Sequence, residues 1–129
     1  MSSEKQLPLV TFEQAKRLDK VGVCWNTHIL FCFGNSEGWP DGYPITINEW
    51  RYKQHVKVIG CPYVAHALKF MRDIIGIKCG VTQSDRKYVG WYENRDYLIV
   101  WTRMYDTFDE ADSANLDAIL DELEEEKKR

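Results

Sequence analysis

Residues 87–103, KYVGWYENRDYLIVWTR, decide the fold. Two β-rich runs, 87–93 and 97–103, flank Asn94-Arg95-Asp96, a polar triplet short enough to close a tight hairpin. In the second run Tyr97, Ile99 and Trp101 share one face, and Leu98 and Val100 share the other. Both faces are apolar, so the pattern places this strand near the middle of a sheet, with Trp91 and Trp101 in the core.

Working outward, 77–82 reads as a third strand, separated from the hairpin by Gln83-Ser84-Asp85-Arg86. Before it, Pro62 suits the first turn of a helix, where a missing N–H costs nothing. Val64, Ala67, Leu68, Met71, Ile74 and Ile75 then recur at helical spacing, and Gly76 ends the run. That wide apolar face predicts the helix most deeply packed on the sheet. After the hairpin, Thr107 and Glu110 have capping-box spacing. Leu116, Ile119, Leu120 and Leu123 continue as a stripe, so this helix runs to about Glu125.

Toward the N-terminus, Thr11 and Gln14 form the same capping signature ahead of Phe12, Ala15 and Leu18, which predicts a helix over 12–21 closed by Gly22. Residues 27–33 read as a buried strand and 34–43 as a loop. Residues 43–52 read as a second strand, opened or held at an edge by Pro44. Val56, Val58 and Ile59 offer a further short strand. The order αβ(β)αβββα is an α+β domain, three helices packed on one mainly antiparallel sheet. It spans 1–129 as a single domain, with a flexible N-terminus over 1–9 and a charged tail over 124–129.

At 129 residues the chain has the size of one domain, and 13% aromatic residues are too many for a disordered chain. A net charge of −3 argues against a generally basic nucleic-acid binder. No signal-peptide pattern opens the chain, and the longest apolar run, 29–33, is far below the roughly 20 residues of a membrane span. These features point to the cytoplasm, where Cys24, Cys32, Cys61 and Cys79 are reduced thiols.

Three blocks resemble one family: LVTFEQAKRLDKVG at 9–22, PYVAHALKFMRDIIGI at 62–77 and YDTFDEADSANLDAIL at 105–120. It is a set of small uncharacterised proteins of bacteriophages and prophages of gut Bacteroidetes. Its members pair a VT[YF]E-x-A-K-x-x-K-x-x-G opening with a P-T-x-A-x-x-x-K-W-L-R helix and a Y-D-T-[YF]-E-E-A close. Here the family's bulky aromatic in the central helix is Phe70, followed by Met71 and Arg72. Residues 34–60 do not align. The resemblance implies phage origin, carries no established activity, and transfers no catalytic residue.

The residues themselves offer little chemistry. His28, His55 and His66 are the only histidines and no C-x-x-C pair exists, so ordinary strand and surface roles are expected rather than a metal site, and no cofactor is implied. Cys61 precedes Pro62 at the start of the central helix. A thiol there feels the helix dipole, its pKa could fall, and His66 one turn on could assist, which makes this pair the candidate nucleophile. Against it stands the reading of Cys61 as a small apolar residue. Asp106, Asp109, Glu110 and Asp112 crowd a helix start, where acids belong. Gly34, Gly38 and Gly42 match no phosphate-loop pattern.

Charge is unevenly placed: net −2 over 1–50, +6 over 51–87 and −7 over 88–129. Arg51, Lys53, Lys57, Lys69 and Arg72, with Trp50 and Tyr52, offer charge for phosphate and rings for bases. The competing expectation is that the basic centre faces the acidic last helix of its own chain or of a symmetry mate. Trp39 and Tyr43 lie in the polar loop, as core anchors or as partner contacts. The leading expectation is a non-enzymatic phage accessory protein that binds a host or phage protein through the Trp39 loop and exposed strand aromatics. The alternative is a nucleotide or nucleic-acid binder, one form of which sequesters a defence signal nucleotide. A cysteine-dependent enzyme at Cys61 comes last. Homo-oligomerisation is compatible with each.

Overall fold

The computed structural model describes residues 8–22, 29–34, 40–52 and 57–127. It is α+β and divides into two compact units, Leu9–Pro62 and Met1–Pro8 with Tyr63–Arg129. Each unit has its own three-stranded antiparallel sheet, where the sequence led us to expect a single one.

In the first unit, α1 (Phe12–Lys20) starts where its capping box places it. The Gln14 amide donates to Thr11 Oγ1 at 3.1 Å, and the Thr11 amide donates to Gln14 Oε1 at 2.9 Å. Gln14, Ala15 and Leu18 form the buried face. The sheet runs β2-β1-β3, with β1 (Ile29–Phe33) between β2 (Tyr43–Thr46) and β3 (Lys57–Gly60). Leu30, Phe31 and Cys32 are buried, as a central strand requires. Phe12 meets Phe31 edge-on at 5.7 Å. Gly42, at φ +84°, lies so close beneath Phe12 that a Cβ would stand 2.9 Å from the ring.

The expected strand over 43–52 stops at Thr46, and Ile47–Tyr52 forms a short helix, α2. The cause is a third capping signature, which the strand-like alternation of residues 43–47 masks. The Glu49 amide donates to Thr46 Oγ1 at 3.2 Å, and the Thr46 amide donates to Glu49 Oε1 at 3.3 Å. Pro44 does sit on an edge strand. The described residues therefore form four α-helices rather than three.

In the second unit, α3 (Val64–Phe70) continues into a π-helical turn, Met71–Ile75, and ends at Gly76 with φ +88°. Val64, Ala67, Leu68 and Met71 are buried, but Ile74 and Ile75 are exposed. A π turn takes up an extra residue, so the stripe drifts off the buried side after Met71. Three strands follow, β4 (Cys79–Ser84), β5 (Lys87–Glu93) and β6 (Ile99–Tyr105), hydrogen-bonded in that order. The Asp85-Arg86 turn has positive φ at both residues. The Asn94 turn is held by its side chain, which accepts from the Asp96 and Leu98 amides at 2.9 and 3.0 Å. The last helix, α4 (Phe108–Lys127), takes in residues 124–127 of the segment expected as a charged tail. It lies across all three strands and also packs on α3. Leu116, Ile119 and Leu120 are fully buried. The deepest packing on the sheet belongs to α4, not to the central helix as its wide face suggested.

β6 is an edge strand, not a middle one. Its two apolar faces have separate causes: one packs under α4, and the other is open to solvent.

Candidate functional site

The open face of sheet β4-β5-β6 is the most distinctive surface of the second unit, and its orientation follows from three contacts. A Cβ on Gly90 would stand 2.8 Å from the Asn115 side chain on α4. Tyr88 meets Phe108 of α4 edge-on at 6.1 Å. Burial pushes the Tyr92 phenol up, and the nearby carboxylates Glu122 and Asp121 of α4 push it further. Tyr88, Gly90 and Tyr92 therefore point at α4. By alternation Lys87, Val89, Trp91 and Glu93 point the other way.

Pairing carries that face onto β6. Trp91 lies opposite Trp101, Glu93 opposite Ile99, and Val89 opposite Met104. Two steps along β5 thus match three along β6, which is a β-bulge at Thr102 and Arg103. The Gly90 amide donates to Thr102 Oγ1 at 2.8 Å, filling the interrupted ladder. The bulge brings Trp101 and Met104, three residues apart, onto one side. Across β4, Gly80 leaves room for Trp91, whose indole lies 3.2 Å from where a Cβ would be. The result is an apolar face with Trp101 57% exposed, Met104 61% and Ile99 44%. Trp101 is thus not the core residue expected from its strand pattern. Tyr97 and Leu98, at the turn beside it, are exposed as well.

The other expected site residues are dispersed. Arg51 and Tyr52 are exposed on α2, Trp50 is half-buried there, and Lys57 is exposed on β3, all in the first unit. Lys69 and Arg72 belong to the second unit, where both meet groups of their own chain. Lys69 Nζ donates to Asp73 Oδ2 at 2.6 Å and holds that carboxyl below its ordinary range. The Arg72 guanidinium lies 3.9 Å from Cys79 Sγ and also acts on the buried Asp112 carboxyl. Lys87 pairs with Asp106. Part of the basic centre therefore faces acids at and before the start of α4. Glu110 in the same acidic group serves the helix cap, its amide donating to Thr107 Oγ1 at 3.2 Å. Tyr43 opens β2 and is exposed. Trp39, Lys53, His28, His55 and Cys24 lie outside the described residues.

Cys61 is buried, with Sγ 3.8 Å from the Val10 carbonyl. Burial pushes its thiol up to about 11, opposite to the fall expected at a helix start. Burial also raises the Cys79 thiol, against the pull of Arg72. Cys32, Cys61 and Cys79 are buried thiols outside any disulfide. His66 is exposed and meets Tyr63 edge-on at 5.4 Å. Among the described residues no group of three His, Cys, Asp or Glu is placed to hold a metal. An open cleft of about 300 Å³ includes Lys78, Glu93, Arg95, Tyr97, Glu122 and Glu126 in its lining, a mixture of charges with no common polarity. No described helix is long and apolar enough to cross a membrane.

Comparison with family models, with curated proteins and with solved structures gives no match for the chain.

Proposed function

We propose that this is a non-enzymatic binding protein, a phage or prophage accessory factor, that engages a host or phage protein through the open face of sheet β4-β5-β6. One observation carries the reading: Trp101, Met104 and Ile99 are exposed together beside Trp91, on an edge strand with a single charge. Isolated exposed apolar residues need no explanation, but a contiguous aromatic and aliphatic face is a contact surface. Tryptophan and its apolar neighbours are also the residues on which protein contacts concentrate. The phage setting rests on the resemblance of the three sequence blocks. The thiol chemistry at Cys61 and Cys79 speaks against a cysteine enzyme, since both thiols are raised by burial.

Quantitative affinity capture from host lysate tests this reading, using the wild type, Trp101→Glu and a control, Lys16→Glu, on α1. The expected result is a set of proteins lost with Trp101→Glu and kept with Lys16→Glu. Identical captures by all three overturn it.

A second reading, nucleotide binding, is supported by Tyr52, 90% exposed beside the exposed Arg51. A stacking ring next to a guanidinium suits a base and a phosphate. Salt-sensitive thermal stabilisation by a mono-, di- or cyclic nucleotide, lost in Tyr52→Ala, is its expected signature.

A further inference from the structure

The open face carries a charge pattern that selects its own occupant. On the side of β5 away from α4 stand Lys87, Val89, Trp91 and Glu93: a cation at one end, the buried Val89 and half-buried Trp91 between, and a carboxylate at the other end. Resting on the reading of this face as the protein-contact surface, we infer that it associates with a second copy of the chain, sheet on sheet. The two-fold axis runs across the strands, so β6 lies over β6 of the second copy in the opposite direction.

Two symmetric stackings are available. An axis along the strands places Lys87 over Lys87 and Glu93 over Glu93, which repel. It also sets Trp101 of β6 over the small and polar β4 face, Gly80 and Thr82. An axis across the strands places Lys87 over Glu93 twice and Trp101 over Met104 twice. Only the second arrangement matches both charge and apolar surface, and an isologous interface requires such self-complementarity. Lys87 already meets Asp106 of its own chain at the rim, where both side chains are at least half exposed. An ammonium has three donors and can accept a second carboxylate as partner.

Size sets the strength. Strand spacing and rise give a three-stranded, seven-residue face a footprint of roughly 300–400 Å² per copy. Two copies together cover roughly 600–800 Å², below the roughly 1,000 Å² that a stable specific interface clears, so the dimer is transient and concentration-dependent.

Sedimentation velocity on the full chain, from low micromolar to near-millimolar concentration, tests the arrangement. The expected result is a concentration-dependent dimer that Trp101→Glu abolishes. Glu93→Lys and Lys87→Glu each weaken self-association at least tenfold. An equimolar mixture of the two restores a dimer, because every facing pair is then Lys against Glu. Glu93→Lys alone carries the charge test if Lys87→Glu does not fold. A monomer at every concentration, a dimer indifferent to Trp101→Glu, or a wild-type dimer in Glu93→Lys overturns the inference. A monomeric wild type that still captures lysate proteins in a Trp101-dependent way overturns the dimer and leaves the binding function standing. If Trp101→Glu changes neither assay, both fall.

Discussion

Gly90 of β5 lies directly beneath Asn115 of α4: a methyl group on Gly90 would stand 2.8 Å from the Asn115 Cβ and 3.1 Å from the Ala111 carbonyl oxygen. Helix and sheet approach so closely because the strand has no side chain there. The Asn115 amide uses the approach, donating to the Gly80 and Trp91 carbonyls at 3.1 and 3.0 Å. One side chain thus ties α4 to two neighbouring strands.

Gly90→Ala is expected to destabilise the protein by about 1–3 kcal/mol, the usual cost of overpacking where backbone must shift. Urea denaturation of both proteins measures it. An unchanged midpoint would mean that the helix can lift without loss.

Asn115→Asp replaces two donors with a carboxylate facing two carbonyl oxygens in a fully buried position. A loss of about 3 kcal/mol or more is expected at neutral pH. The buried acid would have a raised pKa, so its stability contribution is present at low pH and lost as pH rises. The variant should therefore approach the wild type on acidification toward pH 4, as read by thermal melts across pH.

Arg86, at φ +67° in the two-residue turn between β4 and β5, occupies a conformation that favours glycine. Arg86→Gly is expected to raise stability by about 0.5–1 kcal/mol, visible as a higher denaturation midpoint with an unchanged slope.

Asp112 is buried on α4, and burial raises its carboxyl pKa above 3.8, opposed by Arg72 and aided by Asp109. The native state therefore holds this proton more tightly than the unfolded chain. Its contribution to stability is fully present below pH 3.8 and is lost as pH rises through the raised native value. Asp112→Asn should remove that loss, giving a higher melting temperature than the wild type at pH 7 and a smaller difference near pH 3.5. A larger gain at the acidic end would reverse the sign of the argument.

Trp101 and Leu120 separate surface from core. Leu120→Ala, at a fully buried position on α4, should cost about 2–5 kcal/mol. Trp101→Ala should cost about 1 kcal/mol or less in the monomer, despite removing the larger side chain. Chemical denaturation at low protein concentration makes the comparison, and equal losses would place Trp101 in the core after all.

Local chemistry was readable where a short segment satisfies its own backbone. Thr11 with Gln14 and Thr107 with Glu110 announced two helix starts, and Asn94 announced the hairpin turn. Thr46 with Glu49 carried the same signal and would have revealed α2. The exposed apolar face was only half legible. Trp101 and Ile99 were grouped by alternation, but Met104 joins them through a bulge that breaks alternation. Asn115 carried no signal at all, being one polar residue in a helix whose partners lie 24 and 35 residues away.

By itself the sequence determined the α+β class, the hairpin, two of the helix starts and the stripe that buries α4, because caps, turns and periodicity act over a few residues; α3 starts at Val64, with Pro62 ahead of its cap rather than in its first turn. Tertiary structure decided what those elements meet. Two apolar faces on β6 were equally compatible with a central strand and with an edge strand that packs one face and exposes the other. The same holds for the division into two sheets, since strand pairing is a choice of partner rather than a property of either strand. The exposure of Trp101 follows from that choice, and the proposed function follows from Trp101.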